Sequence, residues 1–356
     1  MVDWTSSMQQ TYEYYIVDPG TWQDVQKIDT VISCTIDRDL NAATLGSATF
    51  DLAESIDECY IRVYLVTIQN GVTERHPLGT CLVQTPYTGF DGKTKEISVD
   101  AYTPLLEIKE KHPPIGYYVK KDANILTEAY KITRECTRSP VVEPMCEKTR
   151  YDNFVADTSD TWLDFLTDLL AEAEYRFELD EMGRILFTPV QDTASLQPIW
   201  TYDDDNSSIL CPELSLDHDL YGIPNVVEVV FSPSDITREP LYARIVNDDP
   251  NSPISTVRRG REIVYRDLEP NIGENPTQEL IDQYAKQLLR ELSTMEYTIA
   301  YTHGYCPVRV GDCIMLNYSR AGLTNVKAKV VSQSIDCKPG CLVTEEAVFT
   351  AKMWGD

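Results

Sequence analysis

The stretch from Pro276 to Tyr318 restricts the fold more than any other part of the chain. It opens with a predicted helix over 276–293. Pro276 suits a first helical position, where a missing N–H costs nothing, and Glu279 and Asp282 sit in or beside the positive first turn. Leu280, Ile281, Tyr284, Leu288, Leu289 and Leu292 recur at steps of three and four, so the helix has one dry face. A β-like run from Tyr297 to His303 follows. Then comes Tyr305 to Tyr318, where a turn at Gly311-Asp312 opens onto another strand. None of these parts is a catalytic motif. A helix with one dry face followed directly by strands reads as a helix laid across a β-barrel.

The rest of the chain supplies strands for such a wall. Tyr12–Val17, Val25–Asp37, Ala48–Leu52, Cys59–Gln69, His76–Thr85 and Lys95–Ala101 read as strands, with Ile28, Val31, Ile32 and Ile36 as the packed positions of the second. Asp18-Pro19-Gly20, Asn70-Gly71 and Asp91-Gly92 supply the turns. Short strands joined by tight turns point to an antiparallel barrel or sandwich. A short helix from Pro104 to about Lys111 closes this region, and His112-Pro113-Pro114 marks a boundary. The middle is different. Asp122 is the expected cap of a helix carrying Ile125, Leu126, Ala129 and Ile132. A loop spans 137–148. Thr158, Ser159 or Asp160 is expected to cap a second helix, whose stripe is Trp162, Phe165, Leu166, Leu169, Leu170 and Ala173. A hairpin from Tyr175 to Phe187 turns at Asp180-Glu-Met-Gly183. Beyond Ile199 the pattern is β-rich again, with strands at Val226–Phe231 and Tyr242–Asn247, a surface loop over 232–240, and closing strands at Val326–Ser334 and Leu342–Lys352.

A chain of 356 residues exceeds one ordinary core, so two or three domains are expected. The fold class is mixed, β-rich α+β. Two tube-like antiparallel β-barrel domains, 1–112 and 199–356, flank a small α+β domain, 113–198. No apolar run reaches eighteen residues, so no transmembrane helix is expected. The opening Met1-Val-Asp-Trp-Thr has neither a basic nor an apolar leader region, so no signal peptide is expected.

Charge excludes one large class of function. The net charge is −26, whereas a nucleic-acid binder needs clustered Lys and Arg. The acids lie inside patterned segments rather than in a tail: residues 1–60 carry eleven acids and two bases. That leaves a soluble acidic surface, or a wall that must not hold a passing polyanion. The three arginines of 257–264, Arg258, Arg259 and Arg261, read as the basic tip of a hairpin. They form either a grip on a partner's carboxylates or a solvated loop.

Signatures of catalysis are missing from the sequence: there is no G-x-S-x-G, H-E-x-x-H, P-loop or G-x-G-x-x-G. His218, between Asp217 and Asp219, reads as a structural histidine in a turn. Asp203, Asp204 and Asp205 lack the alternate spacing and distal Glu of an EF-hand, so they read as a polar turn. Ten cysteines without a secretion signal suggest buried thiols. Cys306/Cys313 and Cys337/Cys341 are spaced C-x6-C and C-x3-C, unlike a zinc knuckle. A disulfide across Cys337-Lys-Pro-Gly-Cys341 is sterically allowed, and one between Cys136 and Cys146 is conceivable. Free thiols are preferred at both, and no catalytic residue, metal or cofactor is assigned.

The order of parts carries a resemblance. It runs barrel, helix with the hairpin Tyr-x-Phe-x-Leu-Asp-x-x-Gly-x-Ile-x-Phe (Tyr175 to Phe187), then a second β-rich region with a helix, then Pro-Val-Arg-Val-Gly-Asp-x-Ile-x-Leu (Pro307 to Leu316). This arrangement resembles the baseplate hub proteins of tailed bacteriophages, of the late-control-protein-D type, over essentially the whole chain. The resemblance implies a homotrimeric ring that joins a six-fold tail tube to a three-fold central spike and lets DNA and tape measure pass. Its implied partners are the tail tube or distal tail protein, the spike protein and the tape-measure protein, with baseplate wedge proteins as further candidates. Its implied location is the virion, after assembly in the host cytoplasm. Some hubs carry an extra lysozyme, peptidase or fibre-like domain. This chain stops at Trp354-Gly-Asp356, just after its last strand, so none is expected. Two rival readings are a cell-wall glycosidase using paired carboxylates and a receptor- or glycan-binding tail-tip module with exposed aromatics.

Overall fold

The computed structural model describes the whole chain except residues 1, 91, 93–94, 146, 206–207, 234–238, 274–275 and 355–356, and the side chains of 85–86 and 95–96. The described residues form twenty strands and five α-helices. The first seven strands are β1 (Gln9–Val17), β2 (Asp24–Ile28), β3 (Val31–Asp39), β4 (Gly46–Leu52), β5 (Tyr60–Gln69), β6 (Val72–Phe90) and β7 (Lys95–Tyr102). A module of short elements follows: α1 (Leu106–Lys109), β8 (Tyr118–Val119), α2 (Ile125–Cys136), β9 (Phe154–Val155), α3 (Trp162–Ala171), β10 (Tyr175–Leu179) and β11 (Ile185–Pro189). Then come β12 (Trp200–Asp203), β13 (Leu210–His218), β14 (Val226–Phe231), β15 (Leu241–Val246), α4 (Thr256–Arg259), β16 (Val264–Asp267), α5 (Gln278–Leu292), β17 (Thr294–Gly304), β18 (Cys313–Tyr318), β19 (Leu323–Asp336) and β20 (Leu342–Lys352).

Thirteen strands share one sheet, in the order β13-β17-β20-β19-β3-β4-β7-β6-β5-β1-β2, with β12 and β18 branching from β19. The β-rich α+β class therefore holds, but among the described residues the path has two free ends and no ladder closes a barrel. The reason is a long-range pairing. Ser332–Asp336 of β19 runs antiparallel to Thr35–Asp39 of β3, so β3's second edge is taken by a distant strand. The early strands still curl around one core, in which Tyr14, Ile36, Phe50, Val63, Leu78 and Val99 meet. β5 is buried continuously from Tyr60 to Thr67, as expected of a strand covered on both faces.

Contacts divide the chain into two compact units, Met1–Leu214 with Ala300–Ala347, and Ser215–Ile299 with Val348–Asp356. In the first unit, α2 and α3 pack with hairpin β10–β11 in a separate apolar core that includes Leu126, Leu166, Leu169 and Phe177. In the second, β14 pairs antiparallel with β15 and parallel with β16. Ile281, Ala285 and Leu289 of α5 lie, fully buried, in one cluster with Val227, Val229 and Ala243.

Several local expectations need correction. The strand expected over 25–37 is two, because Asp29-Thr30 breaks it; Ile32 is 71% exposed and points away from the core. The helix caps are Asn124, Thr161 and Thr277, not Asp122, any of 158–160, or a helix opening on Pro276. In each case the side-chain oxygen accepts a backbone N–H of the first turn, and Thr161 with Asp164 completes a capping box. Leu210–His218 is a strand, so His218 ends a strand rather than occupying a turn. The Asp91-Gly92 turn and much of the 232–240 loop lie outside the described residues.

Candidate functional site

The basic segment is not a hairpin. Ser255 caps the single helical turn α4 by accepting from Arg258 N at 3.3 Å, and Gly260 ends it in the left-handed conformation. Arg259 donates to the carbonyls of Ile223 (2.9 Å) and Leu220 (3.0 Å) and so serves the local fold. Arg258 and Arg261 are exposed. On α5, Tyr284, Leu288 and Leu292 pack at the edge of the buried stripe. Leu280 is 42% exposed, because it lies roughly 120° round the helix from the stripe's centre. Ala285 fills the stripe in its place.

The turn Asp180-Glu-Met-Gly183 docks hairpin β10–β11 onto the large sheet. Trp22 Nε1 and Arg62 Nη2 both donate to the Met182 carbonyl, at 2.7 and 3.1 Å. Arg62 is only 1% exposed and is neutralised by Asp24 at 2.6 Å. Thr80 Oγ1 donates to Glu181 O at 3.1 Å. Gly183 has φ +74°, and a Cβ there would stand 2.8 Å from Thr80 Cβ. Glu181 also pairs with Arg309 and, at 3.6 Å, with Arg38.

A second polar group is sealed between β12, β17, β19 and β20. His303 Nε2 lies 3.2 Å from Glu345 Oε1. Tyr301 OH donates to Glu345 Oε2 at 2.6 Å, and Gln333 Nε2 donates to Glu345 and, at 2.9 Å, to Val308 O. Tyr202 OH sits 3.1 Å from His303 Nε2 and 3.3 Å from Cys306 Sγ. Cys306 Sγ is 3.9 Å from His303 Nδ1. A thiol, an imidazole and a carboxylate in that order invite comparison with a nucleophilic triad. The hydrogen bonds argue otherwise. His303 Nδ1 donates to the Gly304 carbonyl at 2.7 Å, and Nε2 faces a carboxylate, so both ring nitrogens carry protons. Burial alone would push His303 down, but the hydrogen bonds to Cys306 and Glu345 and the Glu345 charge hold it up at about 10. Burial raises Glu345, yet His303, Tyr301 and Gln333 bring it below the usual carboxylate range. The hydrogen bonds of His303 are made within the chain, and Cys306, 1% exposed, is out of a substrate's reach. Each of these side chains is at most 3% exposed.

Sequence reasoning missed these residues one by one, though each carried a signal. Val343, Glu345 and Ala347 form the inward phase of β20, so Glu345 is a charge in an apolar register. Arg62 likewise interrupts the apolar run of β5. Asp203 and Asp204 have protein partners, accepting from Asn317 Nδ2 at 2.8 Å and pairing with Arg320 at 3.4 Å. The nine described cysteines are free thiols, seven of them buried. Cys146 lies outside the described residues. Among the described residues no three His, Cys, Asp or Glu side chains converge as a metal site requires, and no helix is long and apolar enough to cross a membrane.

No family model matches the chain, and no curated protein does. Solved structures do. A tail protein from Neisseria meningitidis MC58 is similar over 95% of this chain and 97% of its own, with TM-score 0.61 and 13% identity. The 43 kDa tail protein of prophage MuSo2 from Shewanella oneidensis is similar over 94% and 97%, with TM-score 0.59 and 13% identity. A chain of the Francisella PdpA-VgrG complex matches 96% of this chain with 53% of its own, at TM-score 0.55 and 10% identity. The resemblance drawn from the order of parts thus holds at the level of fold: end to end, the chain shares the fold of these tail proteins.

Proposed function

We propose that the protein is a non-enzymatic structural hub of a bacteriophage tail baseplate or tail tip. The observation that carries this reading is the end-to-end fold similarity to tail proteins, which leaves no large segment of this chain outside the match. Three copies form a ring, each contributing two tube-like β-regions, 1–112 and 199–356, with 113–198 between them. The ring presents pseudo-six-fold symmetry to the tail tube and three-fold symmetry to the central spike, and the tape-measure protein and DNA pass through it. The free ends of the large sheet are consistent with walls completed between copies rather than within one. A chain of net charge −26 with acids on its lumenal face repels DNA phosphates and keeps the genome moving. The sealed state of the Cys306–His303–Glu345 group supports a role without catalysis at that position.

The test is light scattering on the purified chain, alone and mixed with a tail-tube or spike protein encoded beside it. A trimer that forms a stable larger complex is expected. A monomer indifferent to both proteins would sink the hub reading, and cell-wall lysis by the purified chain would favour the glycosidase.

A further inference from the structure

Hairpin β10–β11 and the turn before β18 line a half-open cavity of about 260 Å³ that the hub reading does not use. Arg176 and Thr188 are direct cross-strand partners on that hairpin, so their side chains leave the same face. Each carries a buried polar atom with no hydrogen-bond partner, Nε of Arg176 and Oγ1 of Thr188. Lys329 of β19, paired in register with Cys313, lines the same cavity. Although the chain has 57 acidic residues, neither Arg176 nor Lys329 has an ion-pair partner among the described residues. Both are half-buried. Gly311, at φ +98°, leaves room for the guanidinium, because a Cβ there would stand 2.6 Å from Arg176 Nη2.

Two acids share the lining, Glu178 and Asp312, and Asp192 acts on Lys329 from nearby. Asp312 already accepts from Arg309 N at 2.7 Å, and burial pushes its carboxyl up. Two half-buried cations beside an unsatisfied hydroxyl are costly unless something anionic sits between them. We propose that this cavity is a site for a small oxyanion, a phosphoryl or carboxylate group held between Arg176 and Lys329 with Thr188 donating its hydroxyl proton. Guanidinium and ammonium groups are the common partners of both anions. At about 30 Å³ of liquid per water, the volume leaves room for such a group and several waters.

The experiment is thermal unfolding of the full chain at pH 7 in sodium phosphate and in sodium acetate, each against sodium chloride at equal ionic strength. A saturable rise in Tm beyond the chloride control is expected. Arg176→Gln and Lys329→Gln should each weaken the apparent Kd roughly tenfold, the size of one lost charge-assisted hydrogen bond, while Lys329→Arg keeps the response. A phosphate response that exceeds the acetate one identifies a dissolved phosphoryl group as the natural occupant. An acetate response as large or larger identifies a carboxylate side chain of a neighbouring chain. If neither anion outperforms chloride, or if the Gln variants respond like the unaltered chain, the site is refuted. Should Arg176→Gln fail to fold, the partly exposed Lys329→Gln decides alone.

Discussion

The His303–Glu345 group and the Arg176–Lys329 cavity lie in the same compact unit, and both withdraw charge from water. They do it in opposite ways. Glu345 accepts from Tyr301 and Gln333 while facing His303, and His303 has a carbonyl on its other nitrogen. Arg176 and Lys329 repel each other, and the acids that act on them, Glu178 and Asp192, form no ion pair with either. A buried polar group whose partners are all supplied by the chain specifies the fold; one left short of partners marks a place where something else belongs. The first group is a clamp between distant strands, and the second is a pocket whose two cations have no ion pair.

The contrast breaks first at Glu345. Glu345→Ala removes the carboxylate and leaves a sealed imidazolium, which should cost about 3–5 kcal/mol, read as a fall in the urea midpoint at unchanged slope. A loss below about 1 kcal/mol would mean that the group is no better than a surface pair, and the distinction would fail.

Titration tests the same group more gently. His303 is held at about 10, above its ordinary 6.5, so its contribution is full below about pH 6.5 and is lost as pH rises through about 10. Glu345 is held below its ordinary value, so its contribution is present above that value and is lost at lower pH. Both are whole between roughly pH 4.5 and 6.5. The urea midpoint should therefore fall between pH 7 and 10, and that alkaline limb should be absent in His303→Gln. An identical limb in the variant would assign the loss to other groups.

Gly183→Ala comes next and separates the two regions. The left-handed backbone and the 2.8 Å approach to Thr80 Cβ predict a loss of about 1–3 kcal/mol. The change should disturb the docked hairpin, and with it the anion response, while the alkaline limb set by His303 persists. Loss of both together would show that hairpin and sealed group are a single cooperative element.

What was legible in the sequence follows the range of the interactions. Hairpins such as Asn70-Gly71 and Asp180–Gly183 were readable because turn chemistry and alternation are local. The amphipathic stripes of α2 and α3 were readable for the same reason. Helix caps were missed by one to three residues because neighbouring Asp, Ser, Thr and Asn compete for one role, and tertiary geometry chooses among them. The open path of the large sheet was not readable. It turns on the pairing of Ser332–Asp336 with Thr35–Asp39, segments almost three hundred residues apart. The sealed group was half visible: Glu345 sits in the inward phase of its strand, but nothing local says that His303, Gln333 and Tyr301 answer it.

The smallest expected effect is the most discriminating. Lys329→Met, in anion-free buffer, removes a half-buried charge that has no ion pair and that burial and Arg176 disfavour more than Asp192 favours. Its long apolar replacement keeps the stem's packing. The change should be neutral or stabilising by up to about 1 kcal/mol, opposite in sign to Glu345→Ala although both remove one charge from the same unit. Adding phosphate should reverse the order, because only the unaltered chain gains from binding. A residue that costs stability when alone and returns it with a ligand is kept for the ligand, and denaturation midpoints of the two chains, with and without phosphate, would show whether Lys329 is such a residue.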